Sequence, residues 1–271
     1  MARLFNKLQK SLLKSNSMRQ YFKYAIGEII LVVAGILIAL QINNWNEERK
    51  LKDIERSYLE SFAEDIRADI ESLENHRDIN RMNMQSAKNV VQVISSNKPI
   101  AEIDLTPPSP YDKNDTIIFL NSISRAGFIW YPEVTDYTFS DLKSSGGTAI
   151  LRNKELKKKI FRYYALMGNY ADWKLQKDEA QRIYQNIQSG LLDPSLRILS
   201  NYSEEEKKDF LSQNTIDLDE ITNKLRAHPD LEAALNGMIY SQDRLLLESD
   251  FREFRAEALL EMLEEHLENW E

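Results

Sequence analysis

Residues 24–42 read YAIGEIILVVAGILIALQI, and the assignment of that stretch decides what the rest of the chain can be. As a helix it is a rod of about 28 Å, close to the hydrocarbon thickness of a bilayer. Its unbroken apolar core, Ile29 to Leu40, is twelve residues long, a length also met in buried core helices and signal-peptide cores. Glu28 is the feature that could overturn the longer reading. The span holds eleven Ile, Leu and Val residues, worth roughly −3 to −7 kcal/mol on an insertion scale. A carboxylate costs about +3 kcal/mol at the bilayer centre and less near an end. Glu28 stands one turn inside the span, so insertion wins and the stretch reads as one transmembrane helix. A cleaved signal peptide is the competing reading, but its basic region would have to be the whole of residues 1–23. The following QINNWNEE also offers no small-x-small cleavage site.

Outward from that helix the charges are lopsided. Arg3, Lys7, Lys10, Lys14, Arg19 and Lys23 precede it without an acid, whereas residues 47–56 mix four acids with Arg49, Lys50, Lys52 and Arg56. The bias predicts an N-terminus on the cytoplasmic side and the large C-terminal part across the membrane. Trp45 past one end, and Tyr21, Phe22 and Tyr24 at the other, suit the two interfaces. Residues 2–14 place Leu4, Phe5, Leu8 and Leu12 on one helical face. Arg3, Lys7, Lys10 and Lys14 then become candidate contacts for anionic lipid along a surface-lying amphipathic helix. A frayed tail is the alternative, since so short a helix is marginal in water. The expected divisions are a tail over 1–23, the membrane helix over 24–42 and a body over 43–271.

Removing the six N-terminal cations from the net charge of −8 leaves −14 on residues 24–271, a balance that argues against nucleic acid as a partner. The absence of cysteine excludes disulfides, thiol catalysis and cysteine zinc sites. With eight glycines and seven prolines against abundant Leu, Glu, Lys, Arg and Ala, the composition leans to helix. The expected fold is all-α: the membrane helix continues into a long helical stalk, packed against a long C-terminal helix in an elongated bundle.

The periodicity supports that fold. Leu51, Ile54, Tyr58, Phe62, Ile66, Ile70 and Leu73 recur at three- and four-residue steps. The pattern weakens through ENHRDINRMNM and resumes at Ala87, Val90 and Ile94, predicting a helix over about 45–95. Residues 98–113 carry four prolines and read as a loop. Asp115 is expected to cap a helix to about Arg125, before the aromatic, extended stretch Phe128 to Pro132. A short helix from about Glu133 to Ser144 precedes a second long one, capped by Asn153 and reaching about Ser189. Ser203 with Glu206 forms a capping box for a helix to about Gln213, and Asp217 with Glu220 opens another. A third long helix runs over about 229–268, after Pro229. Its near-heptad seam of Leu247, Phe251, Phe254, Ala258 and Met262 is expected to face the stalk antiparallel. The chain carries no internal repeat.

Catalytic patterns are absent from the sequence. His76, His228 and His266 each follow a leucine at the spacing where a carboxylate-bridged metal site needs glutamate, and no two are close enough for a helical zinc pair. Ser144-Ser145-Gly146-Gly147 lacks the lysine and the preceding strand of a phosphate loop. Glu261, Glu264, Glu265 and Glu268 read as a solvated face rather than a calcium site. The expectation is therefore a non-enzyme with no cofactor and no metal. Trp130, Tyr131, Tyr137, Tyr163 and Tyr164 could line a ligand pocket, although aromatics at helical spacing more often fill a core. Glu28, Gly35 and Ala39 fall on one side of the membrane helix. Gly35-xxx-Ala39 is a small-xxx-small pair, and a carboxylate within a membrane normally faces protein. That side is either a helix–helix or proton-linked contact, or a headgroup-reaching carboxylate beside chance small residues.

The run YAIGEIILVVAGILIALQINNWNE, residues 24–47, resembles the opening of a family of single-pass membrane proteins found in Bacteroidota, to which no reaction is assigned. Tyr137 to Gly146, YTFSDLKSSG, with ILRNKEL over 150–156 and Tyr163-Tyr164, is similar to later parts of that family. The resemblance implies an inner-membrane location in a double-membraned bacterium and names no ligand or catalytic residue. The resulting expectation is a membrane-anchored structural or interaction protein of an envelope complex, whose partners are the bilayer and either a second copy or other membrane subunits. A sensory, ligand-binding body signalling through a partner, and a Glu28-dependent ion-coupled component, are the alternatives.

Overall fold

The computed structural model describes residues 16–110, 114–167, 171–191, 193 and 202–270, and all regular structure among them is helical. The helices are α1 (Asn16–Ser95), α2 (Asp115–Arg125), α3 (Tyr137–Ser144), α4 (Lys154–Met167), α5 (Ala171–Leu191), α6 (Glu204–Gln213), α7 (Leu218–Ala227) and α8 (Leu231–Glu268). Two compact units divide the chain between Ser57 and Tyr58.

The first unit is helix from Asn16 onward. No proline or glycine interrupts the chain between Gly35 and Pro99, so nothing in the sequence breaks α1. An 18-residue window within it has a mean hydropathy of 2.5 and buries none of its surface. This is one helix long and apolar enough to cross a membrane.

The second unit is a helical bundle with two apolar clusters. Leu59, Phe62, Ile66, Leu142, Leu156, Ile160, Leu259 and Leu263 close one of them. Val90, Val93, Phe119, Ile123, Tyr184, Leu225, Leu235 and Met238 close the other. Each fully buried side chain of this size contributes about 1.5–3 kcal/mol, so these clusters dominate the body's stability. Residues 58–95 of α1 run antiparallel to α8. Arg67 pairs with Glu264 at 2.6 Å, Arg77 with Asp250 at 3.2 Å and with Glu253, and Ser95 Oγ donates to Glu232 at 3.3 Å. Arg67 and Glu264 are each about half exposed, so the pair fixes register more than it adds stability.

The expected α8 seam requires correction. Leu247, Phe251 and Phe254 are 59%, 52% and 66% exposed, while Leu231, Leu235, Met238, Gln242, Leu245, Ser249, Ala256, Leu259 and Leu263 face the core. The packed face mixes leucines with small and polar residues, which let neighbouring helices approach closely. The larger, more uniformly apolar row lies on the opposite side. The helix expected over 153–189 is described as α4 and α5, and residues 168–170 between them lie outside the described residues. The one expected from Glu133 begins at Tyr137 instead.

Caps account for several boundaries. Asn153 Oδ1 accepts from the Glu155 and Leu156 amides at 3.1 and 3.0 Å. Ser203 and Glu206 form the capping box, and Asp217 accepts from the Glu220 amide at 2.9 Å. At α2 the cap is Asn114, one residue before the expected Asp115, accepting from the Ile117 amide at 3.2 Å. Arg226 donates to the Val93 and Lys98 carbonyls, supplying partners that the end of α1 lacks.

Gly127 marks a close approach after α2. A Cβ built there would lie 2.1 Å from the ring of Tyr184. That ring is buried, and its hydroxyl donates to the Ile123 carbonyl at 2.8 Å. Gly127→Ala is expected to destabilise the protein by about 1–3 kcal/mol through overpacking, read as a lowered melting temperature in circular dichroism.

Candidate functional site

In the first unit the features singled out from the sequence lie on α1. Glu28, Gly35 and Ala39 are exposed, and a Cβ on Gly35 would meet nothing within 4 Å. Among the described residues nothing covers that side of the helix. Phe22 and Trp45 are also exposed, and the Arg49 guanidinium lies 6.0 Å from the Trp45 ring centroid. Arg3, Lys7, Lys10 and Lys14 fall outside the described residues, as do the side chains of Tyr21 and Tyr24.

In the second unit a stripe of polar side chains on α1 organises the centre. Asp69, Ser72, His76, Asn80 and Asn83 recur at steps of three and four residues, the spacing of one helical side. They hold an extended segment whose backbone has no strand partner. Asn80 Nδ2 donates to the Trp130 carbonyl at 3.0 Å, and its Oδ1 accepts from the Trp130 amide at 3.2 Å. Asn83 and Gln242 both donate to the Phe128 carbonyl, at 3.1 and 3.0 Å. Ser72 Oγ accepts from the Glu133 amide at 3.0 Å, and Asp65 from the Thr138 amide at 3.2 Å. Further along, Asn89 donates to the Thr106 carbonyl at 2.7 Å and to Ser122 Oγ at 2.9 Å.

Asp69 is the most constrained member. It is buried, and accepts from the Thr135 amide at 2.6 Å and from the Tyr163 hydroxyl at 2.7 Å. Burial raises its carboxyl above the ordinary carboxylate range. The bonds from Thr135 and Tyr163 oppose the rise, and the Asp65 charge adds to it. Beside it Tyr164 stacks on Phe139, with centroids 4.4 Å apart, and its hydroxyl has no hydrogen-bond partner. Burial first, then the charges of Asp65, Asp69 and Asp136, push that hydroxyl's pKa far up and keep it neutral. The arrangement positions backbone and fills space.

The five aromatics considered for a pocket are not brought together. Tyr163 and Tyr164 are core, Tyr131 packs on the other apolar cluster, and Trp130 and Tyr137 are 53% and 80% exposed. His76 Nδ1 lies 2.7 Å from the Ser72 carbonyl, with its ring against Trp130. His266 packs on Trp270, and His228 Nδ1 accepts from the Asp230 amide at 3.4 Å. No group of three or more metal-ligating side chains occurs among the described residues.

A surface between α4 and α8 joins Tyr163 of the expected pocket and Phe251, Ala258 and Met262 of the expected seam to cations that the sequence reading did not single out. A groove with a cavity volume of about 150 Å³ is lined by Tyr163, Leu166, Met167, Glu248, Phe251, Arg252 and Arg255. A neighbouring hollow adds Lys159, Arg162, Ala258 and Met262. Arg252 donates to the Leu166 and Met167 carbonyls at 3.3 and 3.4 Å, closing the end of α4. The signal in the sequence was the cationic run RNKELKKKIFR, residues 152–162, in an otherwise acidic body.

These features define an all-helical protein with a bilayer-length apolar helix and a separately cored body. The chain belongs to the family of unknown function DUF6090, whose model matches residues 28–181. No curated protein and no solved structure matches it.

Proposed function

We propose that this is a single-pass membrane-anchored interaction protein, with its N-terminus in the cytoplasm, its body on the far side of an inner membrane and a scaffolding role in an envelope complex. The observation that carries the reading is the contrast within one chain. The body closes two apolar clusters of its own, while among the described residues nothing covers the apolar part of α1. Surface of that kind needs lipid. The cation excess in residues 1–23 supports the orientation. No reaction is assigned to the body, and the polar side chains of α1 from Asp69 to Asn83 hold the backbone of residues 128–136.

Membranes washed in alkaline carbonate are expected to retain the protein. Val33→Arg with Leu37→Arg places two charges mid-span at a cost of about 5–7 kcal/mol and is expected to release it. Protease added to spheroplasts should remove the body. Extraction of the native chain by carbonate would overturn the anchor, and a body cleaved only after lysis would reverse the orientation.

A further inference from the structure

We infer that two copies of this chain pair through the outward face of α8, about a two-fold axis running along that helix. The inference rests on the anchored interaction reading and names its partner.

Leu247, Phe251, Phe254 and Ala258 follow one another at steps of four, three and four residues, the a/d spacing of a left-handed helix pair. At about 100° per residue they fall within about 60° of one another, diametrically opposite the buried Leu245, Ser249, Ala256 and Leu263. The body is therefore complete without them. A contiguous exposed row of this kind marks an interaction site rather than scattered surface hydrophobes.

The edges of the row say what covers it. On the α4 side, Lys159, Arg162 and Arg255 flank Ala258. On the other side, Glu257 and Glu261 flank Phe254 and Ala258. Among the described residues, Lys159, Arg162, Glu257 and Glu261 hold no ion pair, and Arg255 lies over the Phe251 ring at 4.7 Å. The patch thus runs from a cationic edge across an apolar ridge to an anionic edge. Turning a second copy by 180° about an axis along α8 sets each cationic edge against the other copy's anionic edge. An axis across the helix sets like against like. Self-complementarity selects the parallel pair, and Ala258 leaves room for close approach at its centre.

The chain contains no cysteine, which makes the test direct. Leu247→Cys, Phe251→Cys, Phe254→Cys and Ala258→Cys are made singly in the full chain and oxidised in native membranes. A disulfide needs Cα atoms within about 4.4–6.8 Å, which a parallel two-fold supplies at successive positions of the seam. All four are expected to give covalent homodimers, while Asp219→Cys and Glu102→Cys give none. In the Ala258→Cys background, the K159E/R162E/R255E variant and the E257K/E261K variant are each expected to lose about tenfold or more of the cross-link. The two variants co-expressed with different tags are expected to regain it as a heterodimer, because both facing edges are then again opposite in charge. Cross-linking at one stripe position only would overturn the parallel pair. Absence at all four in membrane-retained protein with an unchanged melt would overturn pairing itself, as would adducts solely with a different protein. Loss of the chain from the membrane fraction would instead count against the anchor, so the two failures are distinguishable.

Discussion

Asn80→Leu is expected to lower stability by about 2–4 kcal/mol although it keeps the branching and the number of side-chain heavy atoms. Asn80 is buried, and its amide serves both backbone groups of Trp130. Leucine fills the space but leaves an N–H and a C=O without their partners. Each such group costs about 1–3 kcal/mol where water does not replace the bond, and the half-exposed position of Trp130 keeps the sum below the maximum. For a body of this size the melting temperature should fall by about 5–15 °C. The control is Glu74→Ala, an exposed position on the same helix, expected within about 0.5 kcal/mol of wild type. Equal melts for the two variants would show that the extended segment is held by packing alone, and that the polar stripe of α1 is incidental.

The same residue explains which parts of the architecture were readable from sequence. Caps declare themselves locally, so Asn153, Ser203 with Glu206, and Asp217 place helix starts within a residue or two. The bilayer-length helix is equally local, because transfer free energy depends on composition and length. Asn80, Asn83 and Asp69 look instead like a lapse in the apolar period. They are buried because residues 128–136 run along α1 as extended backbone and need side-chain partners, a fact held in the tertiary arrangement. The spacing of Leu247, Phe251 and Phe254 predicts a packed seam on α8, and those three side chains are exposed instead. Heptad spacing reports that a row is apolar, not which side the core occupies, and the buried side carries Gln242, Ser249 and Ala256. The cationic face of α4 acquires meaning only once α8 places its own acids across Ala258. What was legible at that surface was its residues, and what was not was their juxtaposition.

Asp69 separates a hydrogen-bonding role from a charge role, and its two substitutions are expected to move stability differently. Asp69→Ala removes the acceptor shared by the Thr135 amide and the Tyr163 hydroxyl, and is expected to cost about 2–4 kcal/mol. Asp69→Asn keeps an oxygen for the amide, and the rotating Tyr163 hydroxyl can accept from the new NH₂. It also removes a carboxylate whose ionised form burial disfavours, so at pH 7 it is expected to melt at or above wild type. The pH dependence carries a definite sign. Because the folded pKa lies above the unfolded value, the folded state takes up its proton first as pH falls. This group's stabilising contribution is therefore fully present below the ordinary carboxylate pKa, and is lost as pH rises through the raised one. Any advantage of Asp69→Asn at neutrality should shrink as pH falls through that window and then stay level, with thermal melts of both proteins at matched pH as the measurement. An advantage that grows on acidification would mean that Asp69 is held ionised by its partners, placing its charge on the stabilising side of the fold.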